Sequence, residues 1–105
     1  MTDVLGYILI FVAGALIANG VPHLVSGVRG DPFPSPFAKP SGVGNSSPMV
    51  NVLWGFGNGL AGAVLAIRWL PHDVAPIADA VCAAGFLAMA LFCAAHFGKV
   101  RGANG

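Results

Sequence analysis

The stretch VLGYILIFVAGALIANGVPHLVSG, Val4 to Gly27, decides the fold. Its first fifteen residues carry no charge and no proline, the pattern of a helix that crosses a hydrocarbon core. Its end differs, because Asn19, Gly20, Pro22 and His23 fall in the last turns. Pro22 removes the backbone bond to the Ala18 carbonyl and crowds that oxygen, which predicts a kink or a loosening. Asn19, His23 and Ser26 follow i, i+4, i+7 spacing and so share one face. In lipid a freed carbonyl must find its donor within protein or trapped water. The span therefore ends by turning one polar face inward.

The rest of the chain is consistent with a lipid solvent. Of 105 residues, 56% are hydrophobic and 9% charged, and the mean hydropathy is +0.79. Soluble chains carry about 25% charged residues, and a small soluble domain needs a largely polar surface because surface dominates volume at this size. The acidic residues are Asp3, Asp31, Asp73 and Asp79, with no Glu and no Gln. A net charge of +1 gives no nucleic-acid footprint.

Two further spans follow. In SSPMV, Ser47 is suited to cap a helix and Pro48 to take its first position, where a missing N–H costs nothing. The second span closes before Pro71. A third opens near Asp73 with Pro76 in its first turn, and Gly98 offers a C-terminal stop. The expectation is an all-α integral membrane protein forming a single membrane domain over residues 1–105. Its transmembrane helices fall at about 3–25, 48–70 and 74–97, with a Pro-rich loop at about 26–47. The leading Met-Thr-Asp lacks the basic residues of a secretory n-region, so the first span is expected to be retained.

Basic residues suggest the orientation. Arg29 and Lys39 lie in the first loop and Lys99 and Arg101 follow the third span, against Arg68 alone on the other side. By the positive-inside rule the N-terminus is expected outside, with the long loop and C-terminus cytoplasmic (in the cytoplasmic, inner membrane if the cell is bacterial). The short connection LPHDVAP predicts a tight antiparallel hairpin of the second and third spans. The first loop, VRGDPFPSPFAKPSGVGNSS, has Pro32, Pro34, Pro36 and Pro40 with Phe33 and Phe37 between them. Such proline density forbids helix, and two phenylalanines argue against a wholly disordered linker. A packed cap on the bundle is the expectation.

One constellation has chemical potential. Asn51, Trp54 and Asn58 form a polar stripe on the second span at i, i+3, i+7, matching that of the first. Since His23, Asn51 and His96 all fall at the loop end of their spans, they are expected to line one polar pocket with Asn19, joined by Asn58 deeper in. Gly55, Gly59 and Gly62, with a GxxxG pair at Gly55 and Gly59, form a ridge for close helix approach, and Ala80 and Ala84 a similar face on the third span. Arg68 is placed nearly level with Asp79, and the cost of a lone intramembrane charge predicts an ion pair. Trp54 and Trp69 fit interfacial belts. Cys82 and Cys93 lie about 16 Å apart along a helix, too far to bridge, and read as small packing residues.

No nucleophilic triad, paired carboxylates or phosphate-binding loop is present, which leans away from an enzyme. The glycines of SGVGNSSP precede a span rather than follow a strand, so a nucleotide reading fails on context. The leading expectation is a small non-enzymatic membrane protein that packs against or binds lipids or protein partners, as a homo-oligomer or as a subunit of a membrane complex. The alternative is a homo-oligomeric channel or transporter lined by the Asn and His faces of the first two spans. A third is a metal- or haem-binding subunit using His23 and His96, although the ligand set of a closed site is incomplete and no cofactor is predicted.

Overall fold

The computed structural model describes residues 4–69 and 76–104. The elements run α1 (Val4–Val28), β1 (Phe33–Pro34), β2 (Asn45–Ser46), α2 (Pro48–Trp69) and α3 (Pro76–Asn104). All three helices are long and apolar enough to cross a membrane. The two strands pair antiparallel, Phe33 with Ser46 and Pro34 with Asn45.

The helix ends follow from local chemistry. Helix α1 continues through Pro22 to Val28, three residues past the expected end. It then closes on Gly30 at φ 78°, with the Gly30 N–H donating to the Gly27 carbonyl and the Asp31 N–H to the Ser26 carbonyl, each at 3.0 Å. That 5→2 and 6→1 pair is the Schellman closure, for which a left-handed glycine is the natural residue. Helix α2 starts where its cap predicts: Ser47 Oγ accepts the Val50 N–H at 3.2 Å. Helix α3 passes through Gly98 to Asn104, so Gly98 does not stop it. The extra turns bring Val100, 8% exposed, into the packing at the loop end, and burial outweighs the weak helix propensity of one glycine.

Helix α1 is the common partner. Both α2 and α3 pack along it, while α2 and α3 meet each other at no more than isolated points. The expected tight α2–α3 hairpin is therefore not the packing unit; its connecting residues 70–75 lie outside the described residues. The cause is visible in the glycines. A Cβ on Gly27 would stand 2.7 Å from the Pro48 carbonyl oxygen, one on Gly20 2.5 Å from that of Gly55, and one on Gly62 2.6 Å from that of Ala13. Positions 13, 20 and 27 on α1 thus meet 62, 55 and 48 on α2. A seven-residue repeat keeps such a seam facing its partner along the whole contact.

On another face, a Cβ on Gly14 would collide with the Cys82 carbonyl and one on Gly85 with the Phe11 carbonyl. Helix α1 thus presents small residues on two sides, and both neighbours approach at backbone distance. The α3 contact stripe passes through Ala78, Gly85, Cys93 and Val100, which are buried. Ala80 and Ala84 are exposed instead, so the expected alanine face is not the one used against α1. Alanines surround α3 on several sides, and the positions that give way to a neighbour's backbone win.

Candidate functional site

Where α1 and α2 come this close, short polar side chains reach across. His23 and Asn51 meet one turn below the Gly27–Pro48 crossing, with Nδ1 to Oδ1 at 2.8 Å. Asn19 and Asn58 meet below the Gly20–Gly55 crossing, the Asn19 Nδ2 donating to the Asn58 Oδ1 at 3.1 Å. Glycine rungs and amide rungs therefore alternate along one seam. His23 is 2% exposed, Asn51 is fully buried and Asn58 is 6% exposed.

Asn51 is the junction. Its Nδ2 faces the carbonyl oxygens of Phe33 at 3.0 Å, Ser46 at 3.2 Å and Ser47 at 3.1 Å. The Ser47 carbonyl already receives the Asn51 backbone N–H, so the two amide hydrogens serve chiefly Phe33 and Ser46. Those are the two strands of the loop hairpin. With Nδ2 aimed at carbonyls, Oδ1 must face His23, and His23 donates to it through Nδ1–H. A single side chain thereby ties α1, α2, β1 and β2 together.

The loop is the packed cap expected from its phenylalanines. Ser35, 1% exposed, exchanges a hydroxyl hydrogen bond with Ser46 at 2.6 Å, and its Oγ accepts the Phe37 N–H at 3.1 Å. Phe33 lies 5.4 Å from His23 and 4.7 Å from Phe97, measured between ring centroids. Phe37 meets Trp54 edge-on at 5.1 Å. On the α3 side, His96 bonds through Nε2 to the Gly42 carbonyl oxygen at 2.8 Å and stacks on Phe92 at 5.8 Å.

His23 and His96 are brought to the same end but not into one coordination shell. Phe97 stands beside both, 5.7 Å from His23 and 5.1 Å from His96, and His96 is engaged with the loop. Among the described residues no three His, Cys, Asp or Glu side chains gather as a metal site would require. The free thiol of Cys93 points to the Asn19 Oδ1 at 3.8 Å, joining α3 to the lower polar rung. Cys82 packs against Gly14.

Other expected positions fall differently. Gly55 and Gly62 are seam crossings, whereas Gly59 offers only its backbone N–H beside Gly20 and has open space where a Cβ would stand. The working spacing is therefore seven, not the four of GxxxG. Arg68 and Asp79 are both exposed, and the ion pair formed among the described residues is Arg29–Asp31 at 3.3 Å instead. With α2 and α3 held apart by α1, level height does not bring Arg68 and Asp79 together. Trp69 is exposed at the far end. Trp54 does more than mark an interface: its indole lies 6.5 Å from His23, and its Nε1 is buried with no hydrogen-bond partner among the described residues. Ser35, Ser46, Phe97 and Gly42 had no distinguishing spacing in the sequence, although a phenylalanine adjoining His96 was a usable hint.

Compared with known proteins, the chain matches no family model, no curated protein and no solved structure.

Proposed function

We propose that the chain is a small integral membrane protein that crosses the bilayer three times and serves as a non-enzymatic packing or binding subunit for lipid or protein partners. One observation carries the reading: the distribution of side chains is inverted relative to a water-soluble bundle. Glycine, alanine, asparagine and histidine occupy the interior, while Leu53, Phe56, Leu60, Ile67, Leu87, Leu91 and Phe92 are each more than half exposed. Water would penalise that surface by about 25 cal/mol per Å², whereas acyl chains accept it without cost. Small residues and amide bonds are the means by which helices associate in lipid.

The arrangement of the polar residues favours packing over transport. A conduit needs Asn19, His23 and Asn58 to face a water-filled space continuous across the membrane. Here they point into the α1–α2 seam and bond to each other or to backbone. The basic residues Arg29, Lys39, Lys99 and Arg101 belong to the loop end, which supports an orientation with that end cytoplasmic. Exposed faces on α2 and α3 leave room for a second copy or a larger membrane partner.

The test is expression of the full chain, alkaline carbonate extraction of the membranes, then sizing in mild detergent. Retention in the carbonate pellet, with a species larger than one chain or a co-purifying partner, is the expected result. A chain washed free by carbonate and monodisperse without detergent would overturn the membrane reading. A lone monomer in every mild detergent would overturn the subunit reading.

A further inference from the structure

Outside the polar seam, the loop end carries a groove that the helix packing does not explain. It has a volume of about 480 Å³ and is lined by Pro22, Val25 and Ser26 of α1, Arg29 just past its end, Asp31 to Phe33 of the loop, and Arg101 of α3. The Arg29 N–H still bonds the Val25 carbonyl at 3.3 Å, so positions 22, 25, 26 and 29 continue one face past the end of α1, and they grade from apolar to cationic. Arg101 lines the groove from α3 and forms no ion pair among the described residues. Arg29 is engaged with Asp31 at 3.3 Å, but both are more than half exposed, and a guanidinium has five donors, enough to hold a second oxyanion. A second groove, lined by Pro32, Phe33, Pro34, Asn45, Phe97, Val100 and Arg101, adjoins it at Arg101.

We infer that this groove binds the phosphate headgroup of an anionic phospholipid, a reading that rests on the membrane placement proposed above. Arg101 of α3 and Arg29 at the end of α1 grip the phosphate from two sides, and the acyl chains descend along Val25 and Val21, 47% and 45% exposed. Basic pockets between helix ends on the cationic side of a membrane protein are suited to such headgroups, and guanidinium matches phosphate geometry better than ammonium. Asp31 sets an upper limit on affinity, because it competes for Arg29.

The experiment uses the full chain in mild detergent and native mass spectrometry. The probes are phosphatidylglycerol and phosphatidylcholine with identical acyl chains. Phosphatidylglycerol is expected to be retained preferentially. Arg101→Gln should weaken its binding about fivefold, the effect of roughly 1 kcal/mol per interfacial cation. Arg29→Gln should weaken it by less, and Asp31→Asn should strengthen it. Lys99→Gln is the control: two residues from Arg101, it falls about 200° round the helix and should leave binding unchanged. Equal losses for Lys99→Gln and Arg101→Gln would assign the effect to diffuse surface charge and overturn the site. Inorganic phosphate at matched concentration should not displace the lipid; displacement would make the groove a free-anion site and overturn the lipid assignment. Carbonate extraction reads insertion separately, so a chain that inserts yet does not distinguish the two lipids sinks this inference alone.

Discussion

Asn51 offers the sharpest test of how the loop is held on the helices. Asn51→Leu keeps the branched outline of the side chain, with bulkier methyl groups, and removes every side-chain hydrogen bond at once. Three partners lose their bond: the His23 Nδ1–H, the Phe33 carbonyl and the Ser46 carbonyl. The Ser47 carbonyl does not, since it keeps the Asn51 backbone N–H. At about 0.6 kcal/mol per bond, the average for side-chain bonds in a membrane interior, the loss is about 2 kcal/mol. At about 1 kcal/mol or more per buried group left unpaired, it reaches about 3–4 kcal/mol. Unfolding in mixed micelles by increasing SDS, followed by Trp fluorescence, gives this difference directly. Because the two lost carbonyls belong to β1 and β2, the loop should also loosen. Chymotrypsin should then cut after the 64% exposed Phe37 faster than in the parent, before the helices unfold. Asn58→Leu removes the bonds to Asn19 and to the Trp54 carbonyl and should destabilise the seam without speeding that cleavage. A stability within about 0.5 kcal/mol of the parent together with unchanged loop cleavage would refute the junction role of Asn51.

The remaining expectations are read by the same unfolding assay, with hydrogen exchange added for the loop. Gly85→Val should drive α3 off α1, because even its Cβ collides with the Phe11 carbonyl; the expected loss is about 3 kcal/mol or more, and a neutral result would mean the helices do not approach as described. Gly57→Ala, where nothing lies within 4 Å of the new Cβ, should be neutral or stabilising by up to about 1 kcal/mol. His96→Phe retains the ring on Phe92 but loses the Gly42 carbonyl, and hydrogen exchange should accelerate at residues 41–44 while Phe33, Asn45 and Ser46 of the strand pair stay protected. For Arg68 and Asp79, the double-mutant cycle of Arg68→Gln and Asp79→Asn should close additively within about 0.3–0.5 kcal/mol, and a larger coupling energy would restore the pair.

What the sequence revealed and what it withheld divide along a physical line. The three long apolar helices, the Ser47–Pro48 start of α2 and the packed loop were legible because each depends on local chemistry: hydropathy, a capping hydroxyl, phenylalanines among prolines. The polar stripes at Asn19–His23 and Asn51–Asn58 were legible too, because helical spacing fixes which residues share a face. Which helix takes which partner was not, since pairing depends on comparing several small-residue faces at once. Helix α3 has alanines on most of its circumference, and only the backbone collisions at Gly85 distinguish the face used from that of Ala80 and Ala84. The Arg68–Asp79 expectation failed for the same reason, having assumed a contact between α2 and α3 that α1 prevents. The α1 terminus was in fact readable: Gly30 followed by Pro32 is the composition of a left-handed closure and a stop.

The two devices in the seam depend on each other. Amide side chains are short, and they bridge two helices only where the backbones approach at glycine crossings. Glycine crossings alone supply contact but no direction, because a lipid-facing alternative is nearly as apolar. The amide rungs add the missing specificity: sliding α2 by one turn along α1 would preserve small residues at some crossings yet leave His23, Asn51, Asn19 and Asn58 unpaired in an apolar medium, at about 1–3 kcal/mol each. The loop extends this register lock outward, since the donors that hold β1 and β2 sit on the same Asn51 that engages His23. A shift of the helices would therefore release the cap, and displacement of the cap would leave two strand carbonyls without their donor. The polar interior thus fixes one arrangement of helices and one position of the cap together. The groove at the Arg29–Arg101 end is walled by α1 and by the start of the same loop, so its shape depends on both.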